Sequence, residues 1–375
     1  MSVSRPAAVI ILAAGEGTRM KSATPKVLHK ICGQPLLWHG VASAREPDPV
    51  RIVAVVGHRR EEVTEFLASN APDVETVVQY RQGGTGHAVR SAVEELGLDQ
   101  GTIVVTYADA PLLRGSTLTA LVHHHQAQDA AATALTARLD DPTGYGRIIR
   151  DESGAFLRIV EEADATPAQR AIDEINSGVY AFDARLLGDA LKRVPTDNAK
   201  GEEYLTDVAA ILREDGHHVA TVTLGDPDEV LGVNDRAQLA QARKILNARQ
   251  LQNWMLQGVT IVDPATTWID TSVTLGRDVE VGQGTQLEGS TAVAPGARVG
   301  PGCLLRDTIV GEGATLLHAV CQSATIEAGA VVGPFAYVPP GTRIGLGARV
   351  GPGAPRNGPR RGAQVTASSE GAQQA

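Results

Sequence analysis

The sequence has no long apolar run: nowhere do its 375 residues reach the roughly eighteen consecutive apolar positions that a membrane-spanning helix needs. The first fourteen residues carry one arginine and a short apolar stretch that is broken at once by Gly15, Glu16 and Gly17, so no signal peptide reads there. Cysteine is scarce. Cys32, Cys303 and Cys321 are odd in number, far apart and without metal-ligand spacing, which fits a reducing compartment, by default the cytoplasm, better than a disulfide framework. A basic excess is also missing. With 34 Lys and Arg against 43 Asp and Glu the net charge is −9, so the chain lacks the general positive field that holds nucleic acid. Neither nucleic acid nor membrane is expected as a partner, and any phosphate site must be local.

What is present is ordinary globular material, 43% hydrophobic and 21% charged, enough for two or three domains at about 100–200 residues each. In the first half, β-branched runs at 8–12, 51–57, 75–79 and 102–106 alternate with segments able to form helices at 61–68, 87–96 and 116–126. Apolar strands separated by helices predict an α/β fold, a Rossmann-like, mostly parallel sheet covered on both faces, with ligands at the carboxyl ends of its strands. Between 135 and 182 the pattern shifts to hairpin-like pieces (146–150, 156–160, 179–182), read as an inserted antiparallel wall beside a cleft. Helical spacing returns at 203–214 and at 235–256, the latter taken as a connector.

Beyond it, Ile269, Leu275, Val281, Leu287, Val293, Val299 and Leu305 fall six residues apart, and Ile326, Val332, Val338, Ile344 and Val350 resume the period. A sustained period of six predicts a left-handed parallel β-helix of about four coils, every sixth side chain pointing inward. The expected division is therefore a nucleotide-handling domain at 1–230, a linker helix at 231–262, the β-helix at 263–351 and an unstructured Arg/Pro/Gly/Ala-rich tail at 352–375.

Directly after the first strand stands Leu12-Ala13-Ala14-Gly15-Glu16-Gly17-Thr18-Arg19-Met20, followed by Thr24-Pro25-Lys26. Glycines let backbone N–H groups approach phosphates, and Arg19 and Lys26 add positive charge against a triphosphate. The string is neither a dinucleotide fingerprint, lacking the third glycine, nor a P-loop, lacking Gly-Lys-Ser/Thr. As a whole it resembles the signature of the nucleotide-sugar pyrophosphorylases. Val78-Gln79 with Gly84-Thr85-Gly86-His87-Ala88, Tyr107-Ala108-Asp109, Gly144-Tyr145-Gly146-Arg147, Ile159-Val160-Glu161, Glu174-Ile175-Asn176-Ser177-Gly178, Glu203-Tyr204-Leu205-Thr206-Asp207 and Gly232-Val233-Asn234 follow in that family's order. They are most similar to its bifunctional bacterial branch, which joins an N-acetylglucosamine-1-phosphate uridyltransferase to a glucosamine-1-phosphate acetyltransferase.

The resemblance implies that Leu12, Ala13, Ala14, Gly15, Lys26, Ala108 and Asp109 border the substrates, that Gln79 with Gly84 and Thr85 contacts uracil, and that Tyr107, Gly146, Glu161 and Asn176 contact the acetylated sugar. Arg19, Lys26 and Asp109 are the implied catalytic group, with Asp109 and Asn234 holding Mg2+. UTP and N-acetylglucosamine 1-phosphate are the implied substrates, and the β-helix implies a homotrimer. Two departures stand out: Ala108 replaces the family's usual Gly, narrowing the space beside Asp109 by a methyl, and Gly83 stands where a larger apolar residue is common. Pro339 occupies the place of a phosphate-binding Arg, and the residues of the acetyltransferase site have no match beyond Gly351, so acetyl transfer is not expected.

Blander readings stand beside these. A strand-end Asp is often only a cap, and an isolated Lys is often only solvated. His123-His124-His125 point in different directions from a helix, and His217-His218 form no metal motif. Glu203 and Asp207, four apart, read as solvent-facing acids of one helix face. A sister activity with another nucleotide or sugar, or a non-catalytic scaffold of the same architecture, remains an alternative.

Overall fold

A computed structural model describes residues 4–352; the tail expected at 352–375 lies, from 353, outside them. Among the described residues two compact units form, one from Ser4 to His29 together with Pro35–Ala242, the other from Lys30–Gln34 together with Arg243 to Pro352.

In chain order the elements of the first half are β1 (Ala8–Ala13), β2 (Lys30–Ile31), β3 (Gln34–Pro35), α1 (Leu36–Arg45), β4 (Arg51–Val56), α2 (Arg60–Asn70), β5 (Val74–Val78), α3 (Thr85–Leu96), β6 (Thr102–Tyr107) and α4 (Gly115–Ala127). There follow β7 (Ala132–Arg138), β8 (Arg147–Arg150), β9 (Phe156–Val160), α5 (Pro167–Arg170), β10 (Glu174–Asp183), α6 (Ala184–Leu191), α7 (Thr206–Glu214), β11 (Val219–Thr223) and α8 (Arg236–Leu256). The main sheet runs β11-β7-β10-β6-β1-β4-β5. All of these strands are parallel except β10, which runs against both β6 and β7.

The pleat explains why the strands read as unbroken apolar runs. Successive side chains point to opposite faces. Ala8, Ile10 and Leu12 of β1 enter one core with Val89, Leu187 and Val208 from helices α3, α6 and α7, while Val9, Ile11 and Ala13 enter another with Leu37, Leu67 and Leu118 from α1, α2 and α4. Both faces are therefore dry.

The stretch at 135–182 differs from the expectation of a separate antiparallel wall. β7 and β10 extend the main sheet, and only β8 and β9 form an added hairpin, joined to β10 at Ile175 and Arg147. β10 is buried on both faces through Val179–Phe182, so it packs as an internal strand. Its pairing with β7 shifts register between Asn176 and Tyr180, a bulge of the kind that re-aims side chains beside sites.

In the second unit, two- and three-residue strands stack into three parallel sheets, each strand pairing with the one a coil later: Val281 opposite Val299, Leu287 opposite Leu305, Leu275 opposite Val293. This is a left-handed parallel β-helix. Between Leu305 and Ile326, where the period of six vanishes from the sequence, Val310, Leu316 and Cys321 take the inward positions and three of the four steps shorten to five residues. The stack holds six strands on one side and five on each of the others, one coil more than spacing alone suggested. Among the described residues no helix is long and apolar enough to cross a membrane.

Candidate functional site

The carboxyl ends of β1, β4 and β6 lie side by side because these strands are paired in parallel, and their loops carry most of the expected residues. At the end of β1, Leu12 and Ala13 are buried, as is Ala14 just after it, with the Ala14 carbonyl accepting from Gln82 Nε2 at 3.2 Å, while Gly15 is open to solvent. Gly17 has φ 64°, and a methyl group there would lie 2.5 Å from the Lys26 Cβ. Only glycine lets the loop turn back so closely on Lys26. The Lys26 ammonium ion-pairs with the Asp109 carboxylate and donates to Asn234 Oδ1 at 3.3 Å. Asp109 and Asn234, 125 positions apart, meet because Val233 N–H donates to the Asp109 carbonyl at 2.8 Å. The Tyr145 hydroxyl accepts from the Gly232 backbone in the same segment.

A carboxylate and a carboxamide oxygen thus converge on one positive charge, the ammonium of Lys26. Among the described residues no three His, Cys, Asp or Glu side chains gather into a metal site. The donor set suits a hard divalent cation that takes one or two protein oxygens and completes its shell with water and phosphate. Arg19 lies outside this cluster, exposed at the rim of the glycine loop. Ala108 also stands apart. It is wholly buried, and its methyl packs in the core that holds Val27, Leu37 and Val41, so it narrows no open space beside Asp109.

On one flank stands Gln79, whose Nε2 donates to the Gly84 carbonyl at 3.0 Å and lies 3.1 Å from His87 Nδ1. Burial, the largest influence on His87, lowers its pKa, so the ring is neutral near pH 7 and accepts this second hydrogen. Both amide hydrogens are then used, and Gln79 offers only its carbonyl oxygen. His87 also fills the volume left at Gly83, where a methyl would come within 3.0 Å of its ring. The Gly84-Thr85 turn is gripped by 203–205: Gly86 N–H donates to Glu203 O at 2.8 Å, Glu203 N–H to Gly83 O at 2.7 Å, and Leu205 N–H to Thr85 Oγ1 at 3.1 Å. Glu203 is not a solvent-facing acid. It is 8% exposed and bound by the Arg90 guanidinium at 2.8 Å. Helix α7 starts only at Thr206 because 203–205 serve this grip.

On the other flank Glu161 lies beside Gly146, whose carbonyl accepts from Asn176 N–H at 2.8 Å. Asn176 Oδ1 in turn accepts from the Tyr180 hydroxyl at 2.8 Å and from Gly178 N–H at 3.1 Å. The Tyr107 ring rests on Gly178. Burial raises the pKa of Glu161 despite a hydrogen bond from Thr206. Burial, followed by the charges of Asp197 and Asp164, pushes Asp207 up to about 6.

The expected residues therefore gather at one end of the main sheet in three groups, with Ala108 sealed in the core and Arg19 on the rim. Residues not anticipated there are Gln82, Tyr145, His87, Glu203 and Thr206. All but Gln82 sit within strings singled out in the sequence, yet their partners lie far away in the chain, so spacing gave no sign of them.

A domain family described as a MobA-like NTP transferase domain matches residues 9–257. The chain is 58% identical over 353 residues to the bifunctional protein GlmU of Streptomyces avermitilis, covering 94% of this chain and 73% of that one. It is 57% identical to the GlmU of Thermobifida fusca, covering 87% and 68%, and 49% identical to that of Mycolicibacterium vanbaalenii, covering 92% and 72%.

Proposed function

Since this chain belongs to the family of bifunctional GlmU proteins and is a nucleotidyltransferase with nucleotide and sugar-phosphate substrates, we propose that it transfers UMP from UTP to N-acetylglucosamine 1-phosphate. The products are pyrophosphate and UDP-N-acetylglucosamine, a cytoplasmic precursor of cell-wall peptidoglycan. The observation that carries this reading is the convergence of Lys26, Asp109 and Asn234 between the Gln79–Gly84 flank and the Glu161–Asn176 flank.

In the reaction an oxygen of the sugar phosphate bonds to the α-phosphorus of UTP as the bond from that phosphorus to the β-bridging oxygen breaks. The nucleophile is already anionic, so no side chain need remove a proton; the protein positions the groups and offsets charge. A divalent ion, magnesium in our reading, would be held by Asp109 and Asn234 and would neutralise phosphate oxygens. Lys26, fixed against Gly17, brings a second positive charge to the phosphates, and open backbone at Gly15 admits them. The Gln79 carbonyl accepts from the N3–H of uracil, and Asn176 and Glu161 offer hydrogen bonds to the acetylated sugar.

Pyrophosphate release measured with the four nucleoside triphosphates and several sugar phosphates tests this assignment: preference for GTP with mannose 1-phosphate overturns it. Asp109→Asn should stay folded and lose at least about 100-fold in UTP turnover, and unchanged turnover removes the metal assignment.

We read this sequence as lacking acetyl transfer, on the strength of Pro339 and the loss of the period of six after Gly351. An assay with acetyl-CoA and glucosamine 1-phosphate decides it, and steady acetylation refutes it. The β-helix is read as the trimerising unit, supported by the exposed Ile309, Val320, Phe335 and Tyr337 on its coils; a monomeric mass in sedimentation would remove that reading.

A further inference from the structure

Two histidine clusters of the sequence take no part in the proposed reaction. His125 is buried and bonded to Thr133 Oγ1 at 3.0 Å, an ordinary core histidine. Its neighbour is not. His124 converges with His217 and His218, some ninety positions later, and with Arg150 and Arg213 on one concave pocket of about 400 Å3, within the roughly 300–1,000 Å3 of small-molecule sites. No carboxylate lines it, although the whole chain has net charge −9. Its apolar lining is Ala155, Phe156, Val219 and Ala220. The pocket lies at the amino ends of β7 and β11, the opposite end of the sheet from Asp109.

The neighbouring charges leave the pocket able to take an anion. Arg150 is held by Glu174 at 2.9 and 2.6 Å and by Thr221 Oγ1 at 3.0 Å, so it is fixed in place but largely neutralised. Arg213 is different. The nearest carboxylate oxygen, Asp151 Oδ2, stands 3.9 Å away, beyond a hydrogen bond, while Asp151 Oδ1 is held by Ser153 and the Ala155 N–H within its own turn. Asp215 is taken by Arg193. The terminal carbonyls of α4 and α7 are already met by backbone donors, Gln128 to His124, Ala130 to His125 and His217 to Leu212, so the basic side chains are not needed as caps. With no three His, Cys, Asp or Glu side chains forming a metal site among the described residues, these nitrogen donors suit an anion. A guanidinium fork with imidazole donors matches phosphate, and the apolar lining provides for a carbon body.

The pocket is joined to the sugar flank by two elements. Strand β9 runs from Phe156 in the pocket to Val160, next to Glu161. Helix α7, nine residues and so about 13 Å long, runs from Thr206, which bonds Glu161, to Arg213. We propose that this pocket binds a small organic phosphate and that its occupancy, by clamping the β8–β9 hairpin to the end of α7, changes the grip of the site on its sugar phosphate.

The test is calorimetric titration of the full chain with glucose 6-phosphate and with inorganic phosphate. Glucose 6-phosphate should bind more tightly than inorganic phosphate. Arg213→Gln with His217→Gln should weaken it about tenfold or more, as expected for loss of charge-assisted hydrogen bonds, and Lys26→Ala should leave it unchanged. No binding to the unmodified chain, an unchanged isotherm in the double variant, or loss in Lys26→Ala overturns the site. The coupling rests on the proposed reaction: saturating glucose 6-phosphate should shift the KM for N-acetylglucosamine 1-phosphate at least about twofold in the unmodified chain and not in the double variant. A KM that stays put, or a shift that persists in the double variant, overturns the coupling. A chain with no turnover at all would instead refute the proposed reaction, while the calorimetry still decides the pocket.

Discussion

Replacing Gly84 with alanine probes the joint between the fold and the proposed nucleotide flank. Gly84 has φ 102° and ψ −179°, a region that only glycine occupies freely and that costs another residue about 1–3 kcal/mol. The added methyl would lie 2.5 Å from the Glu203 carbonyl oxygen and 2.9 Å from the Glu202 Cβ, where contacts normally settle near 3.5–4.0 Å. The carbonyl must retreat by about 1 Å. That strains the 2.8 Å bond it accepts from Gly86 N–H, a bond of net worth about 0.5–1.5 kcal/mol. If the loop is held in place, the domain loses about 2–4 kcal/mol. If the loop yields, Gln79 loses the Gly84 carbonyl that fixes its amide, and binding of UTP weakens about tenfold or more. Urea unfolding and the KM for UTP read the two outcomes, with the KM for the sugar phosphate as control. A variant within about 0.5 kcal/mol of the parent and with UTP binding unchanged would refute the reasoning.

Three further outcomes are expected. In His87→Leu the Gln79 amide loses one of the two acceptors that hold its NH2 inward and can turn it outward toward the cytosine N3, so the kcat/KM preference for UTP over CTP should fall about tenfold; an unchanged ratio would show that His87 does not orient Gln79. The folded-state pKa of Asp207 is raised to about 6, so its ionised form opposes folding, an effect absent below the unfolded pKa near 3.9 and complete above 6. Asp207→Asn should therefore raise the thermal midpoint at pH 8 and gain nothing at pH 3.5, and an equal gain at both would contradict it. Leu287 is fully buried in the β-helix, and Leu287→Ala should cost about 2–5 kcal/mol in urea unfolding while leaving UTP turnover nearly intact; a loss under about 1 kcal/mol would mean the coils collapse around the cavity.

Much of the architecture was legible because its signals are local. The strands at Ala8–Ala13, Arg51–Val56 and Thr102–Tyr107 are apolar on both faces and so read as buried parallel strands. The period of six from Ile269 reads as a β-helix because each inward side chain repeats at a fixed chain interval. The period faded at Val310, Leu316 and Cys321, since coils that shorten by a residue keep their stacking but not their spacing. β10 was misjudged because an internal antiparallel strand and a hairpin arm share one local pattern.

The sequence by itself determined the glycine loop, the strand-end acid and the order of the strings that mark the family, all of which are local in the chain. Tertiary structure alone decided what those strings touch. Lys26 meets Asp109 and Asn234 through one backbone bond between Val233 and Asp109, and Glu203 leaves its expected helix to grip Gly83 and Gly86. Ala108, one position from Asp109 in the turn after β6, enters the core. His124 of one histidine run and the His217-His218 pair, which mean nothing in sequence, become one lining because β7 and β11 pair in parallel and bring the ends of α4 and α7 together.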